Sequence, residues 1–504
     1  MSKPYFMGID IGTFESKGVL TDAQGAIIAY RACPHQMESP QPGYAEHDAE
    51  GTWWHDLCEL SRSLIAESKV DPREIVSLGV SGIAPCCLPV DENLRPLRKA
   101  ILYGIDVRAA REIEFLNGEI GEEQVLERYG TPLTTQSAGA KVLWIKNNEP
   151  EVYARAAKFV TSSTYLVAKL TGAFPIDRYT AATWVPLYNV EKEDWEEDLR
   201  GICRRDQLAD CLWTDEIAGT VHAQASQETG LAVGTRVTTG TADASAEALS
   251  AGVMSPGDMM IMYGSSIFII HVVEKLIKDK RLWAGPYMFK GTYSVAAGMS
   301  CSGTLTRWFR DNFALDILEK ARQEGTNPYA AMTALAEGIP AGSDGLVVLP
   351  YFSGERTPLN DPQAKGMIYG LNLLHTRGHI YKAILEGVGY GINQHFEIFR
   401  ELGMETRKIM AVGGGVKNAV WLKAVSDICG QTQQYPQVET GAAYGDAMLA
   451  ALAVGHYADL EALGRLVRIK GSAAPDMDNH AAYRPLARKY GELYTATRHI
   501  MHEK

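Results

Sequence analysis

At 504 residues with 46% apolar content, the chain is about three times the length of a typical domain and can bury two hydrophobic cores. Its net charge of −12 argues against a nucleic-acid or an anionic-membrane partner, since neither is attracted to an acidic surface. The eight cysteines are scattered with no C-x-x-C pair, so they read as reduced core thiols of a cytoplasmic protein; no signal-like segment and no apolar run near the ~20 residues of a membrane helix is present.

In chain order, Tyr5 to Asp22 reads as strand, Gly/Thr/Ser turn and second strand, with Asp22-Ala23-Gln24-Gly25 turning into a third. Such a turn leaves backbone N–H groups and hydroxyls free for an anion, and Lys17 adds a full positive charge, so a phosphate is its natural guest; the alternative is an ordinary solvated hairpin. Asp10, just before the turn, can hold Mg²⁺ through water, because that ion usually keeps several waters and takes one or two carboxylates. Asp48 caps a helix whose Trp54, Leu57, Leu60, Leu64 and Ile65 recur at helical spacing and belong to the core. Ile75 to Gly82 is a buried strand whose small end, Ser81-Gly82, lets a ligand approach the backbone or packs as a turn. Asp106 and Arg108 can touch substrate or pair with each other.

Near the midpoint, the β-branched run Val237-Thr238-Thr239 breaks at Gly240 and continues into Ala242-Asp243-Ala244-Ser245-Ala246-Glu247, a strand, tight turn and helix. Asp243 therefore stands at the carboxyl end of a strand, where open α/β sheets bind ligands and a carboxylate can take a proton from a hydroxyl; the structural alternative is a helix cap. The second half repeats the opening theme: Met259 to Ile270 is again strand, Gly264-Ser265-Ser266 turn and strand. Two such hairpins, one opening each half, suggest a duplicated fold holding one nucleotide. Ala296 to Thr304 is glycine-punctuated and leads into a helix. Ile409 to Val412 runs into Gly413-Gly414-Gly415, whose backbone can lie flat against a ring or a phosphate.

Gly366-Met367-Ile368-Tyr369-Gly370-Leu371, followed after seven residues by His379-Ile380-Tyr381-Lys382-Ala383-Ile384-Leu385-Glu386, resembles the C-terminal signature of the FGGY carbohydrate kinases. Pro350 to Pro358 is similar to the corresponding segment of xylulokinases. The resemblance covers nearly the whole chain and implies an α/β protein of two actin-like (ribonuclease H-like) ATPase domains with an interdomain cleft. Residues 1–253 would carry the sugar site, the first phosphate hairpin and the catalytic aspartate, and residues 254–504 the nucleotide site. By the same resemblance Asp243 is the general base and Asp10 serves Mg²⁺-ATP. Thr13, Lys17 and Ser265 meet phosphates, while Gly303, Gly414, Gly415 and Asn418 cradle the adenosine. Ser81, Gly82, Asp106 and Asp243 face the substrate.

This chain departs from the xylulokinase pattern in its sugar-facing segments. Ser81-Gly82-Ile83-Ala84-Pro85-Cys86 stands where that family shows Ser-Gly-Gln-Met-His-Gly. Gly104-Ile105-Asp106-Val107-Arg108 replaces Trp-Asn-Asp-Gly-Arg, and Ala244 stands where Asn or Gln is frequent. Because sugars are sorted by hydrogen bonds to particular hydroxyls, these losses bear directly on substrate choice. Glu15 in the phosphate turn is unusual and has to point away from a nucleotide. The expected activity is ATP-dependent phosphorylation of a pentulose such as xylulose. The alternatives are another small polyol or ketose as substrate, or a non-catalytic regulator that binds sugar and nucleotide; a homodimer is left open.

Overall fold

The strands Tyr5–Ile11 and Glu15–Thr21, mostly buried after their first residue, pair as an antiparallel hairpin, with Asp10 opposite Lys17. This computed structural model describes residues 4–503. Its main elements are β1 (Tyr5–Ile11), β2 (Glu15–Thr21), β3 (Ile27–Pro34), α1 (His55–Ser68), β4 (Ile75–Gly82), β5 (Ile217–Thr220), β6 (Arg236–Thr238), β7 (Thr241–Ala242) and α2 (Asp243–Ser250). They continue as β8 (Asp258–Tyr263), β9 (Ile267–Val273), β10 (Tyr293–Met299), α3 (Gly303–Phe313), α4 (Arg377–Glu401), β11 (Lys408–Val412), α5 (Ala419–Cys429), β12 (Gln433–Pro436), α6 (Ala442–Ala453) and β13 (Ile469–Ala473).

The chain divides into two units that are not simple halves. The first comprises residues 1–256, 274–294 and 440–467, and the second residues 257–273, 295–439 and 468–504. In the first, strands run in the order β3-β2-β1-β4-β6-β5, with β7 also paired to β4. β1, β2 and β3 are antiparallel neighbours, while β4 runs parallel to β1 and to β6. In the second, six strands follow the order β10-β9-β8-β11-β12-β13, with β8 antiparallel to β9 and parallel to β11. Each unit is thus a mixed sheet in which an antiparallel hairpin is followed by a parallel strand, and each hairpin turn lies at the carboxyl end of its unit's first sheet strand.

The first core is built from inward positions of the strands, Met7, Ile9, Ile11, Leu78 and Val80, against Leu57, Leu60 and Leu64 of α1. Those leucines recur at three and four residues, one helical face, and each fully buried side chain is worth about 1.5–3 kcal/mol. The Asp48 side chain accepts from the amides of Glu50 and Gly51, as its spacing from the helix suggests, although a wider turn over Ala49–Trp54 precedes the regular part of α1. In the second unit the signature residue Glu386 serves structure: buried in α4, its carboxylate accepts from the Gly342 amide (3.0 Å), Ser343 Oγ (2.7 Å) and Tyr483 Oη (2.8 Å).

Candidate active site

α6 decides the character of the first unit's site. It packs flush on β1, β4 and α2 because glycines remove the side chains that would hold it off: a Cβ on Gly8 would stand 2.0 Å from the Ala443 carbonyl oxygen, and one on Gly79 2.1 Å from that of Asp446. The approach places Asp446 beside the ends of β1 and β4. Ser81 Oγ lies 2.6 Å from Asp446 Oδ2 and 3.1 Å from Asp10 Oδ1, so one hydroxyl bridges two carboxylates. Asp446 Oδ1 is buried without a partner.

Asp243 opens α2 directly after β7. The residue in the capping position is Ala242, and Asp243 Oδ1 accepts only from the next amide, Ala244, at 2.8 Å. The cap reading of Asp243 is therefore replaced by a half-buried carboxylate among other acids. Burial and the neighbouring charge of Asp10 push its proton affinity well above the ordinary carboxylate range. Burial lifts Asp10 to about 6 against the opposing pull of Ser81 and Lys17. Glu247, one turn further along α2, is pushed up to about 7 by burial and by Asp10, and Asp446 rises for the same two reasons. Four carboxyls share one end of the sheet, and burial with mutual repulsion raises the proton affinity of each. Among the described residues no three acidic, histidine or cysteine side chains form a closed metal-binding set.

The turn between β1 and β2 carries Thr13, whose Oγ1 lies 3.1 Å from Tyr103 Oη. Lys17 is half-exposed and its Nζ lies 3.4 Å from Glu15 Oε2, which draws Glu15 along the strand toward the lysine. Ser81 is buried with its hydroxyl shared by Asp10 and Asp446, and Gly82 packs on Ser162, where an added Cβ would stand 2.7 Å from the hydroxyl oxygen. Asp106 is committed elsewhere: it receives the Ala45 amide at 2.7 Å and the guanidinium of Arg108, which also reaches Glu46 and stacks over Tyr44. With both oxygens engaged and 1% exposure, Asp106 shapes the loop.

In the second unit the Gly264–Ser266 turn is held by the N-terminus of α3. Gly303 donates its amide to the Gly264 carbonyl at 3.0 Å, and the amides of Ser302 and Thr304 both reach the Ser265 carbonyl at 3.1 Å. The Ser265 side chain is exposed. A Cβ on Gly303 would fall 2.5 Å from the Gly264 oxygen, so glycine is required for this close approach. Of the three glycines after β11, Gly413 has the positive φ, 88°, Gly414 faces open space, and Gly415 packs against Trp421 and Tyr263. Asn418 caps α5 by accepting from the Trp421 amide at 3.0 Å and donates to Tyr381 Oη at 3.3 Å. Gly414 thus faces open space, while Gly415 and Asn418 are held by packing and hydrogen bonds.

Sequence reasoning left Glu247 and Asp446 without a role. The available signal was a lone carboxylate inside the apolar, small-residue run Ala442-Ala443-Tyr444-Gly445-Asp446-Ala447, since buried acids persist mainly where they are paired or functional.

Residues 5–250 match the N-terminal domain, and residues 259–454 the C-terminal domain, of the FGGY family of carbohydrate kinases. The chain is 27% identical over 514 residues to xylulose kinase of Bacillus subtilis (strain 168), covering 98% of each protein. It is 28% identical over 488 residues to gluconokinase of the same strain, covering 96% of this chain and 94% of that one. The crystal structure of xylulose kinase from Rhodospirillum rubrum superposes with a TM-score of 0.92 at 30% identity, over 99% of this chain and all of the other.

Proposed function

The chain belongs to the FGGY family of carbohydrate kinases and is an ATP-dependent sugar kinase; from that premise we propose that it phosphorylates a small ketose, foremost a pentulose such as xylulose, with Asp243 as general base. The observation that carries the role of Asp243 is its position: a half-buried carboxylate at the end of the sheet, its proton affinity raised by burial and by Asp10. A base that must hold a proton from a sugar hydroxyl works best when its proton affinity is lifted toward the working pH, and such a base is worth roughly 10²–10⁴-fold in rate.

Within the first unit the turn with Thr13 and Lys17 receives phosphate oxygens; within the second, the open face at Gly414 and the Ser265 turn are read as nucleotide contacts. Phosphoryl transfer depends mainly on holding these parts in line and on charge. Asp10 would hold Mg²⁺ through water, and the bound ion would supply neutralisation of charge on the phosphates. Ser81 holds the orientation of Asp10, which would position the ion, and Asp243 accepts the proton.

Apolar Ile83, Ala84, Pro85 and Cys86 offer fewer hydrogen bonds than the family's polar pattern, which favours a sugar read by few hydroxyls. Xylulose kinase and gluconokinase relatives stand at nearly equal identity. The test is therefore ADP release on a panel of pentuloses, hexuloses, polyols and aldonates, with Asp243→Asn as the control. A pentulose should give the highest kcat/KM; an aldonate in first place would overturn the substrate assignment, and no sugar-stimulated ADP release on any member would overturn the kinase mechanism.

A further inference from the structure

Two histidines lie beneath the first phosphate turn, and their partners dictate their protonation. His47 Nδ1 is 3.0 Å from Trp53 Nε1, an indole N–H that only donates, so Nδ1 is bare. The proton is on Nε2, 3.1 Å from the Thr13 carbonyl, and His47 is neutral. Burial, reinforced by the charge of His35, keeps it so by pulling its pKa down to about 4.

His35 is the opposite case. Its Nε2 lies 3.0 Å from the Gly12 carbonyl, which only accepts, and its Nδ1 lies 2.9 Å from Asp56 Oδ2. That carboxylate also accepts from Ser16 Oγ at 2.7 Å. Burial works against charge on Asp56, but the hydrogen bonds from His35, Ser16 and His55 hold its pKa below the ordinary range, so it is ionised. With acceptors at both ring nitrogens, His35 is an imidazolium. Burial opposes that charge too, and the Asp56 bond and charge together with the turn carbonyls outweigh it.

The geometry has a consequence for the turn. A trans peptide points its C=O and N–H in opposite directions. Pinning the Gly12 and Thr13 carbonyls onto the imidazoles therefore turns the amides of Thr13 and Phe14 to the opposite side. We propose that His35, paired with Asp56, is a positioning residue for the nucleotide phosphates: it fixes the Gly12 carbonyl, aims the Thr13 amide outward and sets a positive charge under the turn. The proposal rests on the reading that this turn receives phosphate. Loss of the His35 proton leaves either the Gly12 carbonyl or Asp56 without its donor, and removes the charge.

The ionisable groups against His35 are Asp56 and His47; His55 bonds Asp56, Glu38 acts on His47, and Cys33, near the end of the preceding strand β3, feels Asp56, Glu59 and Glu15. His47 stays neutral, and burial with the nearby acids lifts the Cys33 thiol to about 11, so neither changes charge between about pH 7 and about pH 9.5.

The experiment follows ATP KM and kcat over that range, above the titration of the γ-phosphate, for wild type, Asp56→Asn and Lys17→Ala, with calorimetric titration of ADP and adenosine. Wild type should show ATP KM rising about tenfold through a breakpoint above the ordinary histidine value of ~6.5, with kcat nearly unchanged and adenosine affinity flat. Asp56→Asn should move the breakpoint down by about one pH unit or more. A breakpoint that ignores Asp56→Asn, or that appears equally for adenosine, overturns the proposal. If Lys17→Ala leaves ATP and ADP affinity unchanged, the phosphate reading of the turn fails instead. Should Asp56→Asn not fold, ¹⁵N-histidine NMR of the wild-type protein decides: both ring nitrogens of His35 protonated near pH 7 supports the imidazolium, and a neutral ring overturns it.

Discussion

The two units present turns of the same kind made from different chemistry. In the first, the carbonyls of Gly12 and Thr13 are held by imidazoles, and four carboxyls gather at the neighbouring strand ends. In the second, the carbonyls of Gly264 and Ser265 are held by backbone amides at the start of α3 and by the hydroxyls of Ser302 and Thr304. Amides and hydroxyls do not titrate in the physiological range, whereas imidazoles and crowded carboxyls do. One turn is thus held by groups insensitive to pH, while the other is held by imidazoles beside carboxyls whose proton affinity is raised.

The sharpest way to break the comparison is at Asp243. Asp243→Asn keeps size and one acceptor oxygen but removes the proton acceptor, so kcat on the cognate sugar should fall by roughly 10²–10⁴-fold while ATP and sugar affinities hold. Steady-state kinetics with a melting curve measures both, and retention of more than about a tenth of wild-type turnover returns the base to another residue. A change in the second unit should act differently. A Cβ on Gly414 would meet no protein atom within 4 Å, so Gly414→Val should fold, and its side chain should occupy the space proposed for nucleotide, weakening ADP binding by tenfold or more, about 1.4 kcal/mol. Calorimetry at two pH values checks this, and the loss should be the same at both.

The smallest effect concerns stability and belongs to the first unit alone. Asp10, Asp243, Glu247 and Asp446 all have proton affinities raised by burial, so the folded state binds protons that the unfolded chain has already released. Their contribution is present below the unfolded carboxylate pKa of about 4 and is lost as pH rises through the folded values, about 6 for Asp10 and about 7 for Glu247. Asp446→Asn removes one of these charges and keeps an acceptor for Ser81. It should raise the melting temperature of the ligand-free protein by about 2 °C near pH 8 and by less near pH 5. An equal shift at both pH values would mean that packing and not charge limits stability there.

Much of the site could be read from local pattern. Asp10 and Asp243 each stand where a β-branched run meets small residues, and such strand ends bind ligands in open sheets whatever the rest of the fold. Gly303 and the glycines after β11 were visible because tight turns and close approaches need residues without Cβ. The particular duties were less legible. The spacing of Asp106 and Arg108 allowed substrate contact or ion pairing, and only the packing of Tyr44, Ala45 and Glu46 around them selects the pair. Likewise, the positive φ falls on Gly413 and the open face on Gly414, a distinction that depends on Tyr263 and Trp421.

Sequence by itself determined that there are two α/β bodies with duplicated hairpins, since hydrophobic periodicity and turn chemistry act over a few residues and leave their mark there. The tertiary structure alone decided that α6, far along the chain, returns to the first unit and brings Asp446 against Ser81. It also decided that His35 and His47 reach under the turn from the segment beyond β3. Proton affinities depend on what lies within a few ångströms in space, and residues distant in sequence supply those neighbours, so the charges of this site exist only once the chain has folded.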